Sequence, residues 1–479
     1  MRLARSTRSR FTGPRFSAVI GAALLAGSLL TLPASASNQK KVAHASDQID
    51  HLVAPRSRVG TQLAWLLDIS TRLPLSKKEE SSHFDAAFIK VESAAQLSAA
   101  LGGLATTGSK VTLLGLSNVT PESLVAEVKI GAITYNVDLS VDAKGLIAGL
   151  YFSLNKSVSI PTVSSWTEVD QDIKKMAPNA SFLAAQLNTN GTCSAVHEMN
   201  ANTARPLGSM FKLFILGALA HAIQDHTVSW DQKLTLTESQ KVGGSGVLQS
   251  DPNGTQLTVE QTALTMISVS DNTAADMLLS LVGRSAVEDQ VRAWSSHSSL
   301  DTPFLSAAEF FVLKWYDYPH LTNHFLSLDP VQRLSYLTST VDRVRASAIM
   351  STSSPRAIDS VEWFASPLDI CHALSGLSSL ESQPGLSPLS TILSTNNGGI
   401  PLNVATWPRI WFKGGSEPGV LTLGYLARDS AGKSFVVIVM LSNTKKAIAP
   451  SSTLLGLGVV AGSFNLLRAG AHTATPGAP

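Results

Sequence analysis

The sequence predicts a small α+β domain followed by a larger α/β domain, whose antiparallel sheet is built from both ends of that domain around an inserted helical block. Two observations support this prediction. Between residues 57 and 155, helical spacing of apolar residues changes to the alternation typical of strands. Between residues 160 and 470, strand-like segments stand at both ends, and a long stretch with helical patterning, from about 206 to 380, lies between them.

Composition and charge set the class of protein. The chain has 479 residues, of which 44% are apolar and 15% are charged, and its net charge is +2. These values are typical of a folded globular protein and exclude a chain that is mainly disordered. The first 36 residues contain five arginines and no acidic residue, so the rest of the chain has a net charge of −3. Nucleic-acid binding by a basic body is therefore not supported.

Residues 1–36 have the layout of a secretory signal peptide. An arginine-rich start is followed by an apolar run from Ala18 to Leu32 and by the small residues Ala34, Ser35 and Ala36. The apolar run is shorter than the roughly 20 residues that a membrane span needs. We therefore expect cleavage after Ala36 and secretion of a soluble protein, with an uncleaved membrane anchor as the alternative. The polar residues 37–56 predict a linker.

Residues 57–155 predict the small α+β domain. Helical spacing of apolar residues occurs at Val59–Ile69 and near Val91–Leu101. Strand patterning follows at Leu124–Ile130, Thr134–Leu139 and Leu146–Phe152. We find no motif that carries chemistry in this part of the chain.

Residues 471–479 are predicted to form a tail. Residues 160–470 are predicted to form the larger domain. Its predicted strands are Phe182–Leu187, Ser194–Met199, Arg409–Lys413, Gly419–Arg428 and Phe435–Leu441. An Asn-Gly turn at Asn190 and Gly191 joins the first two strands. The chain after Leu467 is rich in Ala, Gly, Thr and Pro, and we expect it to be frayed.

The two cysteines, Cys193 and Cys371, fall in a predicted strand and a predicted helix. Export would permit a disulfide, but the sequence alone cannot place the two residues together, so their pairing stays open and we expect two buried thiols. The histidines do not occur at the spacing of zinc ligands, so we expect neither a metal nor another cofactor.

One short motif is typical of an activated serine. Ser209 and Lys212 stand three residues apart at the head of an apolar helix, where they share a face. A neighbouring amine can take the serine proton if burial lowers the pKa of that amine. The helix N-terminus adds positive backbone dipoles where an oxyanion would form.

Two further motifs follow along the chain. Ser270-Asp271-Asn272 lies on or beside the helix predicted for Val259–Leu281, and Lys413-Gly414-Gly415-Ser416 ends the apolar strand Trp407–Phe412. We interpret Asp271 as a structural residue that holds its loop by hydrogen bonds to the backbone. The triple S-x-x-K, S-D-N and K-T-G is the signature of class A β-lactamases and penicillin-binding proteins.

Residues of about 165–465 therefore resemble this superfamily of serine hydrolases, whose β-lactamase/transpeptidase-like fold they are expected to adopt. Val242–Gln249 is similar to the loop that precedes the S-D-N helix in the family. The small domain in front resembles the steroid-isomerase-like module that is fused to a β-lactamase-like domain in a clavulanic-acid biosynthesis protein and its relatives.

The resemblance implies a role for each matching residue. Ser209 would be the acylated nucleophile and Lys212 its general base. Ser270 would relay a proton to the leaving group, and Lys413 would help to bind a carboxylate and tune Ser270. The backbone amides of Ser209 and Ser416 would form the oxyanion hole. Substrate binding would fall to Asn272, Gly415 and Ser416.

Two departures from the family pattern qualify the activity that is implied. Gly414 stands where the third motif ordinarily has a hydroxyl, which Ser416 would supply instead. The loop with the deacylating glutamate of class A enzymes is missing, and Glu309 lies near its expected position. Glu309 is a candidate base, and the alternative is a surface or helix N-terminal residue.

The resemblance implies β-lactam hydrolysis as the first expectation, with a small-molecule β-lactam or ester as the partner. Nucleic acid and stable membrane insertion are not expected. Two alternatives follow from the departures. One is an esterase acting on acyl or acetyl esters or on β-lactam-like precursors. The other is a non-hydrolytic penicillin-binding or sensor protein, or a D,D-peptidase.

Overall fold

The computed structural model describes residues 53–91, 101, 110–130, 133–154, 160–346 and 354–473. In the first part of the chain, helices pack against a four-stranded antiparallel sheet whose strands follow one another in chain order. Its helices and strands are α1 Arg58–Leu67, α2 Lys77–His83, α3 Ala86–Val91, β1 Val111–Ser117, β2 Ser123–Ile130, β3 Ile133–Val141 and β4 Ile147–Leu154.

Alternating side chains explain this small sheet. Val128, Val137 and Leu139 are buried against α1, because every second residue of a strand points to the same face. The helix predicted for Val59–Ile69 and the three predicted strands are observed with shifted ends. Helix α2 and strand β1 were not predicted. Most of the helix predicted near Val91–Leu101 lies outside the described residues.

The described residues from 160 onward form a five-stranded antiparallel sheet with helices on both faces. Its helices are α4 Trp166–Met176, α5 Lys212–Gln224, α6 Val259–Ser268, α7 Asn272–Val282, α8 Arg284–Trp294, α9 Ala307–Trp315, α10 His320–Ser327, α11 Pro330–Ser339, α12 Pro367–Glu381, α13 Pro388–Ser394 and α14 Pro450–Thr473. Its strands are β5 Asn179–Leu187, β6 Cys193–Met199, β7 Arg205–Pro206, β8 Lys233–Thr235, β9 Gln256–Thr258, β10 Phe364–Ala365, β11 Arg409–Glu417, β12 Val420–Arg428 and β13 Ser434–Ser442.

The order of strands in the sheet is β11-β12-β13-β5-β6. Strand β13, near the end of the chain, therefore pairs with β5, and the helical block α5–α13 is inserted between them in sequence. This arrangement confirms the predicted fold class, an antiparallel sheet built from both ends of the domain. The pair β8–β9 is a short addition within the helical block, and the pair β7–β10 joins the segment before α5 to the segment before α12.

Each face of the five-stranded sheet has its own core. Leu183 and Ala185 of β5 pack with the helical block, whereas Phe182 and Ala184 pack with α4 and α14 on the other face. Helix α5 is the centre of the helical block, since ten of its thirteen residues are buried. A helix that is apolar on all sides is stable only inside a core, and α5 therefore holds its first residue, Lys212, within the protein.

The expectation that the two cysteines are free thiols was wrong. Cys193 at the start of β6 and Cys371 in α12 form a disulfide, with their Cα atoms 6.4 Å apart. They are 178 residues apart in sequence, and they meet because α12 packs across β5 and β6. The hairpin between those strands turns through Asn190 and Gly191 as predicted, with Gly191 at a φ of 80°.

The chain end also differs from the prediction. Helix α14 continues to Thr473, beyond the point after Leu467 where fraying was expected. Leu467 is buried, and Nζ of Lys433 donates to the carbonyl oxygen of Ala471 at 2.7 Å, so packing and a hydrogen bond extend the helix. Within the described residues, Ser451–Ala471 is one helical segment that is long and apolar enough to cross a membrane. About 56% of this apolar stretch is buried inside the protein.

Candidate active site

Ser209 lies on a single 3-10 turn, Gly208–Phe211, directly before α5. Lys212 is the first residue of that helix, so the three-residue spacing brings its amine to the serine as predicted. Nζ of Lys212 lies 3.0 Å from Oγ of Ser209. The lysine is fully buried, whereas the serine is partly exposed. The hydroxyl group of Ser209 is therefore accessible to solvent, whereas the amine beside it is not.

The surroundings of Lys212 favour its neutral form. Burial lowers the pKa of Lys212 to about 7, although the carboxylates of Asp271 and Asp276 act in the opposite direction. Nζ donates to the carbonyl oxygen of Ser270 at 2.5 Å and to Oδ1 of Asn272 at 2.8 Å. A neutral amine has two N–H bonds, which these acceptors occupy. Its lone pair is then left to accept the proton of the Ser209 hydroxyl.

Ser270 lies between two buried amines. It separates α6 from α7 with a φ of 59°, so the single helix predicted for Val259–Leu281 is broken at this residue. Oγ of Ser270 lies 3.3 Å from Nζ of Lys212 and 3.0 Å from Nζ of Lys413. Burial, followed by the charge of Lys212, lowers the pKa of Lys413 well below its usual value. The hydroxyl can therefore pass a proton between the amines and a bound group.

Asp271 and Asn272 hold the neighbouring loop in place. The carboxylate of Asp271 accepts hydrogen bonds from the amides of Val247 and Leu248 at 2.6 and 2.9 Å and caps α7 through the amide of Ala274. This confirms the structural role predicted for Asp271. Nδ2 of Asn272 donates to the carbonyl oxygen of Gly243 at 2.9 Å. Asn272 therefore joins the loop to Lys212, and both ends of its side-chain amide are already bonded.

The predicted oxyanion-hole amides come from two segments in close backbone contact. A Cβ atom on Gly415 would lie 2.6 Å from the amide nitrogen of Ser209 and would also overlap the carbonyl oxygen of Leu207. A Cβ atom on Gly208 would lie 2.8 Å from the amide nitrogen of Ser416. Only glycine permits this approach, and it brings the Ser209 and Ser416 segments together. The side chain of Ser416 is exposed, so its hydroxyl is available to a ligand.

The structure places Glu309 in an ion pair. Its carboxylate accepts two hydrogen bonds from the Arg284 guanidinium, at 2.7 and 3.0 Å, and one from the amide of Ser306 at 2.7 Å. Glu309 is buried and completes the capping box of α9 with Ser306. These contacts favour the alternative of a helix N-terminal residue. A role in deacylation remains a prediction that they do not support.

Sequence reasoning missed three buried charged residues beside the nucleophile. Oε2 of Glu362 accepts a hydrogen bond from the amide of Gly208 at 3.3 Å, and Lys314 forms an ion pair with Glu417. Lys314 lies in an apolar helix and Glu417 directly follows the third motif. A charge inside an apolar pattern is the signal that could have marked them, since isolated buried charges are costly.

Comparison with known proteins finds similarity in the part of the chain that contains this site. A family model described as the β-lactamase enzyme family matches residues 165–449. The β-lactamase VEB-1 of Pseudomonas aeruginosa is 32% identical over 109 residues, which are 22% of this chain and 36% of that protein. The match thus spans about a third of the length of that relative.

Two solved structures align over a longer range. A β-lactamase of Sphaerobacter thermophilus is 20% identical, with a TM-score of 0.44 over 65% of this chain and 100% of that chain. The acyl-enzyme complex of a PBP-A variant with penicillin G is 16% identical, with a TM-score of 0.42 over 64% of this chain and 99% of that chain.

Proposed function

This chain belongs to the β-lactamase enzyme family, and from that premise we propose that it is an exported serine hydrolase that hydrolyses β-lactams through an acyl-enzyme on Ser209. The contact pattern of Lys212 carries the proposal. Its two N–H donors are taken by Ser270 and Asn272, and its amine lies 3.0 Å from Oγ of Ser209. That arrangement suits proton abstraction from the serine hydroxyl.

Acylation would proceed in one addition and one elimination. Oγ of Ser209 attacks the lactam carbonyl carbon while the hydroxyl proton passes to Nζ of Lys212. The amides of Ser209 and Ser416 stabilise the oxyanion that forms. The C–N bond of the lactam then breaks, and Ser270 donates its proton to the leaving nitrogen. Ser270 recovers a proton from Nζ of Lys212, which had taken the proton of Ser209, and the starting charges are restored.

Substrate binding would use the groups around this centre. A lactam substrate carries a carboxylate, and the amine of Lys413 together with the exposed hydroxyl of Ser416 is suited to bind it. Gly415 keeps the strand backbone close to the acylated serine. Asn272 is bonded to Lys212 and Gly243, so contact with a substrate amide would require it to exchange one of these partners.

Deacylation separates this proposal from a second candidate. Hydrolysis of the acyl-enzyme needs a base that activates water, and the carboxylate of Glu309 is engaged by Arg284 and Ser306. This observation favours a long-lived acyl-enzyme, as in a penicillin-binding or sensor protein or a D,D-peptidase. A small acyl or acetyl ester is the other candidate substrate, because its acyl group is less bulky than an opened lactam and would leave more room for water at Ser209.

Intact-mass spectrometry during reaction with a chromogenic cephalosporin tests these alternatives. Many turnovers without a lasting adduct are expected for a β-lactamase. One turnover with a persistent adduct on Ser209 would instead assign the penicillin-binding or sensor role. Neither colour nor adduct, together with hydrolysis of a small acetyl ester, would assign the esterase. Full activity in Ser209→Ala would contradict the nucleophile assignment in every case.

Export and the N-terminal part of the chain belong to the same proposal. We propose that residues 1–36 are a signal peptide and that the protein acts outside the cytoplasm, where β-lactamase activity would protect the cell from antibiotics. The Cys193–Cys371 disulfide supports an oxidising compartment. The expected result is a secreted protein that begins at Ser37, and intracellular full-length protein with reduced thiols would contradict it.

We further propose that residues 57–155 form a separate steroid-isomerase-like unit. The observation in support is their own hydrophobic core, which includes Val59, Leu63, Phe84 and Tyr135. Limited proteolysis in the segment near residues 155–160 should release two fragments that each unfold cooperatively. A single cooperative transition lost on cleavage would contradict the separation.

A further inference from the structure

Three buried charged residues lie behind the backbone that carries Ser209. They are Lys314 of α9, Glu362 before β10 and Glu417 at the end of β11, and we call them the carboxyl cluster. The side chain of Lys314 is fully buried, Glu362 is 4% exposed, and the side chain of Glu417 is 7% exposed. The proposed mechanism uses none of the three. Buried charges are costly unless they are paired, so their placement here calls for a role.

Lys314 and Glu417 hold the end of the strand that supplies one oxyanion-hole amide. Nζ of Lys314 donates to both carboxylate oxygens of Glu417, at 2.5 and 2.7 Å. Glu417 is the residue after Ser416 and lies in the same strand. The ammonium group also lies 4.5 Å from the ring centre of Phe310, a cation–π contact that further restrains it.

Glu362 holds the other segment. Its Oε2 accepts hydrogen bonds from the amide of Gly208 at 3.3 Å and from the amide of Trp363 at 2.8 Å. Gly208 directly precedes Ser209. The carbonyl oxygen of Trp363 in turn accepts a hydrogen bond from the amide of Leu207 at 2.8 Å. The approach to the nucleophile is therefore bonded to the Glu362–Trp363 segment at two successive residues.

The two carboxyl groups connect these halves. Oε1 of Glu362 is buried and accepts no hydrogen bond from a donor in the described part of the chain. Burial and the neighbouring carboxylate of Glu417 raise the pKa of Glu362 well above its usual value. The raised pKa favours the protonated form of Glu362, which can donate a hydrogen bond to Glu417, whereas a carboxylate could not.

We propose that the carboxyl cluster positions the oxyanion hole, with Glu362 holding the Ser209 segment and the Lys314–Glu417 ion pair holding the Ser416 segment. The inference rests on the proposed function, because the amides matter to catalysis only if Ser209 is acylated. Oxyanion-hole donors act at hydrogen-bond distance from the developing charge, and their effect falls when two separate segments drift apart. The three residues are positioning residues, since none contacts the reacting atoms.

The test is the rate at which a fluorophosphonate labels Ser209 in the full chain, followed by intact mass. The serine oxygen bonds to phosphorus, the hydroxyl proton passes to Nζ of Lys212 and fluoride leaves. The phosphoryl oxygen needs the same two amides whether or not β-lactams are substrates. Glu362→Leu should lower the second-order rate by ~10–100-fold. Glu362→Gln should stay within ~3-fold of wild type, because its amide can still accept from Gly208 and donate to Glu417.

Two further variants complete the test. Lys314→Met removes the cation without touching Glu362 and should also slow labelling. Asp429→Asn changes a buried carboxylate in the hairpin between β12 and β13, at the opposite end of the β11–β12 pair from Ser416, and should label at the wild-type rate. Thermal unfolding shows which variants are folded.

The outcomes separate the inference from the function. Labelling at the wild-type rate in folded Glu362→Leu and Lys314→Met would overturn the inference. So would an equal loss in Glu362→Gln and Glu362→Leu, or unfolding of both Glu362→Leu and Lys314→Met, which would assign the cluster to stability. A wild-type Ser209 that does not react with the probe would contradict the proposed function itself.

Discussion

Nζ of Lys212, the first residue of α5, lies 2.5 Å from the carbonyl oxygen of Ser270, which stands 58 residues later between α6 and α7. The contact exists because Ser270 has a φ of 59° and interrupts the helix at the point where its neighbours would otherwise continue it. In a regular helix this carbonyl would be bonded within the helix. The left-handed residue instead presents both its carbonyl oxygen and its hydroxyl to buried amines.

Substitution of Ser270 should separate conformation from catalysis. Ser270→Ala and Ser270→Gly both remove the hydroxyl and should slow acylation by ~10²–10³-fold. Glycine accepts a positive φ without the steric cost that alanine incurs, so Ser270→Gly should be more stable than Ser270→Ala by about 1 kcal/mol. Pre-steady-state acylation rates and thermal unfolding measure the two effects. Equal stability of the variants would argue against strain at this residue.

The pH dependence of acylation should report the amine of Lys212. Its pKa is lowered to about 7, so the amine is protonated and inactive as a base below that pH and neutral above it. The rate should rise about tenfold per pH unit at acidic pH and level off above about 7. The profile of kcat/KM for a chromogenic cephalosporin between pH 5 and 9 tests this. A rate that still rises at pH 9 would indicate an ordinary, exposed lysine.

Asp271 should contribute to stability far more than an exposed cap. Its carboxylate satisfies three backbone amides while fully buried, so Asp271→Ala should destabilise the protein by about 2–4 kcal/mol. Asp329 caps α11 through two amides at the surface and is the matched control. Asp329→Ala should cost about 1 kcal/mol. Urea unfolding gives both values, and similar losses would contradict a special role for Asp271.

The disulfide should stabilise the protein without taking part in catalysis. It closes a loop with a sequence separation of 178, and its removal by paired Cys193→Ser and Cys371→Ser substitutions should cost about 2–5 kcal/mol. The acylation rate of the folded variant should remain within about twofold of wild type. Alkylation of the denatured, unreduced protein should modify no cysteine. Two alkylated residues would restore the prediction of free thiols.

One pair of candidate catalytic residues was predictable because it depends on local geometry. Ser209 and Lys212 meet through the spacing of one helical turn, and that spacing is visible in the sequence. Runs of apolar residues likewise predicted β12 and β13, since strands that are buried on both faces of a sheet are apolar at nearly every position. The hydrogen bonds of Asp271 to its loop were also predicted from the motif, whereas its complete burial was not.

Other features depend on contacts between distant segments. Nothing near Glu309 in sequence indicates that Arg284 occupies its carboxylate, and the pairing of Cys193 with Cys371 requires the packing of α12 across the sheet. The continuation of α14 past Leu467 likewise depends on its packing against the five-stranded sheet and on the hydrogen bond from Lys433, rather than on its Ala- and Gly-rich sequence. The break at Ser270 was missed because helical periodicity continues on both sides of it.

The sequence by itself determined the fold class, the family and the choice of Ser209, Lys212, Ser270 and Lys413 as the candidate catalytic set, because short-range periodicity and motif order specify these. The tertiary structure decided the lowered pKa of Lys212, the contact between the Ser209 and Ser416 segments, and the carboxyl cluster behind them. These properties arise from burial and from distances between residues far apart in the chain. Dielectric environment and long-range contacts exist only once the chain has folded.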